Sequence, residues 1–435
     1  MKPNYTLRKT IGWAVITIIS LIPALLWYFL GEGTVRFNDL SSNISSLGEV
    51  FGLIGFTMFA LNFVLSTRVK LMEDVFGGLD KVYIAHGILG GTALIFILAH
   101  PIFLLINYFP NDLALAAKYL IPGMTWSVNF GMIALFGLVV LVLVTLFSKM
   151  KYHRWKFTHG FMGLFFAFAV LHIFLVRGKI SGDNIFDGYY VYATLVSLIG
   201  LGAFVYSLFL KNRLIKNAVY SISDIKQTSD LFIIEMKPEH KPISYKSGQF
   251  IFLRFYNQEL SKEAHPFSIA SKSNSNELKI VVKKLGDFTR KLEHLKVGDE
   301  VSVEGPYGRF HFRNYKDHNQ IWIAAGIGIT PFLGMAQDLD GKTRVDLYYV
   351  SSDNFVGLKM LKEIENKISI FRVISWQSDK NGRINANDIK KISGGLDGKE
   401  ILICGSPGFK ESIVSQLIEL GIRKNRIHEE AFDFK

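Results

Sequence analysis

Six apolar runs fill the first 210 residues of the chain, at about 11–30, 47–66, 82–106, 128–148, 157–176 and 189–210. Each is about the 20 residues that an α-helix needs to cross the hydrocarbon of a bilayer. The first run is flanked by Lys2, Arg8 and Lys9, as a signal peptide would be. It lacks a small-x-small cleavage site and exceeds the usual length of such a segment, so a retained helix is expected. The basic residues between runs alternate in density. Lys2, Arg8, Lys9, Arg68, Lys70, Lys81, Lys149, Lys151, Arg154, Lys156, Lys211, Arg213 and Lys216 fall on one side, against Arg36, Lys118, Arg177 and Lys179 on the other. The positive-inside rule then puts the N-terminus and everything after residue 211 in the cytoplasm, with the helices in the plasma (inner) membrane.

Composition narrows the chemistry. The formal charge is +12, but the cations sit at the ends of apolar runs and form no stripe interleaved with aromatics, so nucleic acid is excluded as a partner and lipid is expected. Cys404 is the only cysteine, which rules out an intrachain disulfide and a Cys-ligated zinc or iron–sulfur site. A metal must therefore be held by histidine or carboxylate.

Histidines occur in two of the six runs: His86 and His100 in the third, His159 and His172 in the fifth. Ionisable side chains inside a bilayer are costly and usually functional. Both runs start at the cytoplasmic face, so His86 and His159 share a depth near the inside and His100 and His172 a depth nearer the outside. The two levels are about 20 Å apart at 1.5 Å rise per residue. Two facing helices that each supply one imidazole per level can hold two b-type haems with bis-histidine ligation, an arrangement suited to electron transfer. The 13-residue step from His159 to His172 leaves the two about 140° apart on an ideal helix, so a bulge or strong tilt is required there. Gly87, Gly90, Gly91, Gly160 and Gly163 lie next to the ligands. They offer either a flat surface for a macrocycle or close helix packing.

After residue 212 the pattern changes. Short strands at 217–226, 231–239, 248–257, 277–285 and 299–304 suggest a small antiparallel barrel. Within it stand His265-Pro266-Phe267-Ser268, Gly248-Gln249-Phe250, Leu285-Gly286-Asp287-Phe288-Thr289 and Gly305-Pro306-Tyr307-Gly308. From about 319, strands at 320–325, 343–350, 370–376 and 400–404 alternate with helices at 331–339, 357–367 and 407–420, the signature of a doubly wound parallel sheet. The first of these strands ends in Gly326-Ile327-Gly328-Ile329-Thr330-Pro331, and the fourth in Cys404-Gly405-Ser406-Pro407. Expected domains are a six-span di-haem bundle at 1–212, a small β-barrel at 213–315 and a doubly wound α/β domain at 316–435.

These motifs, in this order, resemble the ferredoxin–NADP reductase superfamily, and within it the NADPH oxidase and ferric reductase branch. The likeness runs from the third apolar run to the last residues. It implies FAD contacts from His265, Pro266, Phe267 and Ser268, with Gly286, Phe288 and Thr289 opening a short helix toward the pyrophosphate. It implies an NAD(P)H loop made of Gly326, Gly328, Thr330 and Pro331, with Cys404 and Gly405 beside the nicotinamide. A near-terminal aromatic over the flavin is implied too, Phe434 or, on the same strand face, Phe432. Two features depart from the branch. Ser351-Ser352-Asp353 stands where NADPH-selective relatives carry an arginine, so NADH or dual use is credible. Leu104 stands where some oxygen-reducing relatives have a second histidine. No calcium loop or segment for an activator subunit is visible. The expected activity is electron transfer from NAD(P)H to oxygen, giving superoxide outside. A ferric-chelate acceptor is the alternative, and a non-catalytic haem protein serving as a docking module the alternative of another class.

Overall fold

A computed structural model of the protein describes residues 5–30, 39–106, 108–109, 112–117, 121–123, 125–150, 152–176, 188–211, 217–228, 230–261, 263–352 and 357–430. The chain divides into two compact units, residues 1–214 and 215–435.

The first unit is helical: α1 (Tyr5–Leu30), α2 (Leu40–Ser66), α3 (Lys70–Phe76), α4 (Leu79–Ile106), α5 (Leu113–Ala117), α6 (Trp126–Phe147), α7 (Tyr152–Gly160), α8 (Met162–Leu175) and α9 (Gly188–Val205), the last continued by a π turn over Tyr206–Leu210. Six segments are long and apolar enough to span a membrane: Ile11–Phe29, Leu40–Ser66, Leu79–Ile106, Trp126–Phe147, Arg154–Leu175 and Tyr190–Leu210. Their outward faces are apolar. On α6, Ile133, Phe136, Val140 and Leu143 form an exposed stripe at helical spacing, as a face solvated by lipid should. The bundle closes around α2, which starts at a capping box between Asp39 and Ser42. Its Phe56, Phe59, Ala60 and Phe63 pack with Phe166 of α8 and Val196 of α9. Within the bundle α2 lies along α4, and α6 along α8.

The fifth span is broken where the helical arithmetic demanded it. α7 ends at Gly160 and α8 starts at Met162, with Phe161 between them in a turn. There the Phe161 N–H donates to the Thr158 carbonyl at 3.1 Å, three residues back instead of four. This local tightening lies between His159 and His172 and turns the chain by more than 100° per residue, which narrows the angular gap of a continuous helix.

The second unit holds two sheets. Strands β1 (Ala218–Gln227), β2 (Leu231–Pro238), β3 (Phe250–Tyr256), β4 (His265–Ser268), β5 (Leu278–Lys283) and β6 (Glu300–Tyr307) make a nearly closed antiparallel barrel in the order β4-β3-β6-β1-β2-β5. The short helix α10 (Asp287–Lys291) lies between β5 and β6. The other sheet contains β7 (Asn319–Ala325), β8 (Arg344–Ser351), β9 (Phe371–Gln377), β10 (Glu400–Cys404) and β11 (Ile427–Glu429) in the order β11-β10-β7-β8-β9, every pair parallel. Its central strands β7, β8 and β10 are largely buried, as strands covered on both faces are. Helix α11 (Thr330–Gln337) leaves β7 and packs against the barrel segment 269–271, where a Cβ on Gly334 would stand 2.7 Å from the Ser271 carbonyl.

Candidate functional site

The four membrane histidines meet in two pairs. The ring centres of His86 and His159 are 6.2 Å apart, and so are those of His100 and His172. A metal–imidazole bond is about 2.0 Å long and the ring centre is about 1.1 Å behind the nitrogen, so two axial imidazoles on one metal face each other at about 6.2 Å. Both pairs have that separation.

Each imidazole is also oriented. His86 Nδ1 lies 3.1 Å from the Asn62 carbonyl, His100 Nδ1 2.8 Å from that of Gly48 and His172 Nδ1 2.7 Å from that of Ser127. A carbonyl only accepts, so Nδ1 carries the proton and Nε2 keeps its lone pair for a metal. His159 Nδ1 meets the Thr145 hydroxyl at 3.3 Å, and that hydroxyl donates to the Leu141 carbonyl, leaving its oxygen to accept. Trp155 stacks on the His159 ring at 5.2 Å. Helix α2 thus orients the histidines of α4, and α6 those of α7 and α8.

The neighbouring glycines divide by role. A Cβ on Gly87, Gly91 or Gly160 would meet nothing within 4 Å, which is the open space a flat macrocycle needs beside its ligands. Gly163 and Gly90 are packing positions instead, with a Cβ 2.2 Å from Phe204 and 2.7 Å from the Asn62 amide. Sequence reasoning missed Gly52 and Gly131. A Cβ on either would stand 2.7 Å from Nδ1 of His100 or His172, so each absent side chain makes room for an outer imidazole. A glycine four residues beyond the orienting carbonyl was the available signal.

In the barrel, strand register gathers the flavin motifs. Ser268, Phe250 and Tyr307 stand side by side across β4, β3 and β6. Gln249 Nε2 donates to the Gly308 carbonyl at 2.9 Å. His265 stacks on Phe288 with ring centres 3.6 Å apart, tying the edge strand to α10. Pro266 and Phe267 are half-buried and Ser268 is nearly buried. The Thr289 hydroxyl accepts the N–H groups of Leu285 and Gly286, each at 3.0 Å. Those two donors therefore close the turn that leads into α10.

In the parallel sheet, β7 and β8 lead one way and the chain then returns to β10 on the other side of β7. The crevice at such a reversal is where doubly wound sheets bind ligands. Gly326, in left-handed backbone with φ +54, and Gly328 stand at its rim. A Cβ on Gly328 would lie 2.4 Å from the Cys404 carbonyl oxygen, so this glycine lets the loop after β7 touch the end of β10. Thr330 Oγ1 donates to the Ile327 carbonyl at 2.8 Å, and Pro331 occupies the first turn of α11. The Cys404 side chain is wholly buried, with Gly405 at the strand end. Burial and the nearby Glu430 carboxylate push its thiol well above the ordinary range. Phe432 and Phe434 lie outside the described residues, as does Asp353.

The chain thus carries a helical unit with two histidine pairs inside its apolar spans, followed by an antiparallel barrel and a doubly wound parallel sheet. Residues 51–170 match the family described as ferric reductase like transmembrane component, and residues 214–311 an FAD-binding domain family. Dual oxidase 1 of Caenorhabditis elegans is 26% identical over 249 residues, covering 55% of this chain and 16% of that protein. The ferredoxin reductase component of 3-ketosteroid-9-alpha-monooxygenase from Rhodococcus rhodochrous is 25% identical over 199 residues, covering 44% of this chain and 56% of that one. The chain thus spans less than two thirds of either relative. Among solved structures, the FAD/NAD binding domain of nitric oxide dioxygenase from Vibrio cholerae is 22% identical and covers 49% of this chain and 98% of that one, with a TM-score of 0.44. Two stretches of the chain are thus similar to the ferric reductase like transmembrane component and to an FAD-binding domain family. Its six apolar spans and the first match make it a multi-pass membrane protein, and the second match gives it an FAD-binding domain.

Proposed function

We propose that the protein moves electrons from cytoplasmic NAD(P)H, by way of FAD and two b-type haems, to an acceptor across the plasma membrane, with oxygen the leading acceptor and superoxide the product. The observation that carries this reading is the pair of 6.2 Å imidazole separations, each with Nδ1 anchored and Nε2 left for iron. His86 and His159 would hold the inner haem, and His100 and His172 the outer one, and each haem would supply a one-electron centre. The bundle at 1–212 carries these ligands, the barrel at 213–315 the flavin and the domain at 316–435 the nicotinamide.

His265, Pro266, Phe267 and Ser268 would line the flavin ring, with Gly286, Phe288 and Thr289 beneath its phosphates. Gly326, Gly328, Thr330 and Pro331 would receive the nucleotide, with Cys404 and Gly405 against the nicotinamide. Because the Cys404 thiol is buried and stays protonated, it packs against a substrate and does not act as a nucleophile. Phe434 would cover the flavin until the nicotinamide displaces it. No activator subunit is required. FAD supplies the conversion between a two-electron donor and one-electron acceptors.

Ferric chelate is the second acceptor reading, favoured by Leu104 at the position where some oxygen-reducing relatives carry histidine. Purified protein supplied with FAD and NAD(P)H should contain two haems per flavin and produce superoxide faster than it reduces ferric chelate. The reverse order of rates would transfer the proposal to metal reduction, and a haem-free protein would end it.

A further inference from the structure

The four imidazoles are not held alike. The outer two donate their Nδ1 protons to backbone carbonyls at short range, His100 to Gly48 at 2.8 Å and His172 to Ser127 at 2.7 Å. The inner two have longer bonds, 3.1 Å from His86 Nδ1 to the Asn62 carbonyl and 3.3 Å from His159 Nδ1 to Thr145 Oγ1. His159 has the weakest hydrogen bond of the four. Its partner is a hydroxyl, whose one proton goes to the Leu141 carbonyl at 2.8 Å. The 3.3 Å contact also lies beyond the range of about 2.7–3.2 Å that N–H···O bonds keep. Trp155, stacked on the His159 ring at 25° between planes, shares in holding that imidazole.

A stronger acceptor at Nδ1 makes an imidazole more basic at Nε2. A more basic axial ligand favours ferric over ferrous iron and so lowers the reduction potential, and hydrogen bonding behind the ligand is one means by which a protein sets that potential. Both pairs offer the same ligand type, two histidines at the same 6.2 Å separation. The difference between them lies in what their Nδ1 atoms touch.

We infer that Thr145 is a positioning residue that sets the potential of the inner centre through His159, and that the inner centre has the higher potential of the two, which leaves the reduced outer haem the stronger one-electron donor. The inference rests on the haem assignment above. Redox titration of the full-length protein in detergent, followed by haem absorbance, should give two one-electron waves. His100→Ala keeps the inner pair alone and should give one wave, close to the higher of the two. Thr145→Val keeps the shape and removes the acceptor. It should move the higher wave further up, while the lower wave and the FAD content stay as they were. Thr145→Ser keeps the hydroxyl and should leave both waves in place. A His100→Ala wave close to the lower one overturns the inference. So does a Thr145→Val protein in which neither wave moves, only the lower one moves or both move together, and so does a shift in Thr145→Ser as large as in Thr145→Val. If Thr145→Val takes up one haem instead of two, the remaining wave decides: it should be the lower one, and a remaining higher wave overturns the inference. A protein without any haem absorbance overturns the underlying assignment, a result distinct from all of these.

Discussion

Gly131 has no side chain because His172 needs the space, and Gly52 stands in the same relation to His100. A methyl group at Gly131 would press on the imidazole Nδ1 and pull it from the Ser127 carbonyl. Gly131→Ala should therefore drop haem from two to one per FAD, measured by absorbance on purified protein, while the flavin still passes electrons to a soluble dye. His100→Ala should do the same, and two full haems in both variants would remove the assignment. The histidines themselves were legible in the sequence, because an imidazole in an apolar run is conspicuous. Their anchors were not, since three of the four are backbone carbonyls that any residue provides. Only Thr145 and the two glycines left a trace. At the other end of the chain, Ser351 and Ser352 offer no cation to a 2′-phosphate. Charge-assisted pairing is among the stronger polar contacts, so steady-state kinetics should show weak discrimination between NADH and NADPH. A preference of about a thousandfold, about 4 kcal/mol, would show that another residue reads the phosphate.

The elements show where pattern reading succeeds and where it stops. Long strands such as β1, β2 and β8 were visible from their apolar content, whereas β4 and β11 span only 4 and 3 residues. Strand β4 also contains Pro266, which suits its place at the end of the strand order but hides it from propensity. The irregularity in the fifth span was required by helix geometry, yet its place at Phe161 depends on packing. The union of barrel and parallel sheet was not legible either. It rests on His311, whose Nδ1 lies 2.9 Å from the Ser247 carbonyl, on Ser273 bonded to the Asp338 carboxylate, and on Gln337 Nε2 donating to the Ala270 carbonyl at 3.0 Å. His311 is 3% exposed, and burial holds its pKa at about 4 against an ordinary 6.5. The unfolded chain then takes up this proton first as pH falls. Stability contributed by the neutral imidazole is complete above pH 6.5 and is lost as pH falls toward 4, by about 3 kcal/mol. Denaturant midpoints across that window should drop in the unmodified protein and flatten in His311→Gln; equal slopes would assign the loss to other groups.

For the whole molecule, hydropathy falls after residue 210, and the chain divides into two compact units at residue 214. The order of the matched families follows that division, with the transmembrane component at 51–170 and the FAD-binding domain at 214–311. What the sequence could express least was direction, because only the distribution of Lys and Arg between loops speaks to it. Direction is also where the account is most exposed. Sealed vesicles bearing the protein with its soluble half outward, supplied with NAD(P)H outside and a trapped membrane-impermeant one-electron acceptor inside, test it directly. The account predicts reduction of the trapped acceptor that requires NAD(P)H and disappears in His100→Ala while FAD content is kept. An interior acceptor that stays oxidised, or is reduced equally well by His100→Ala, would contradict it.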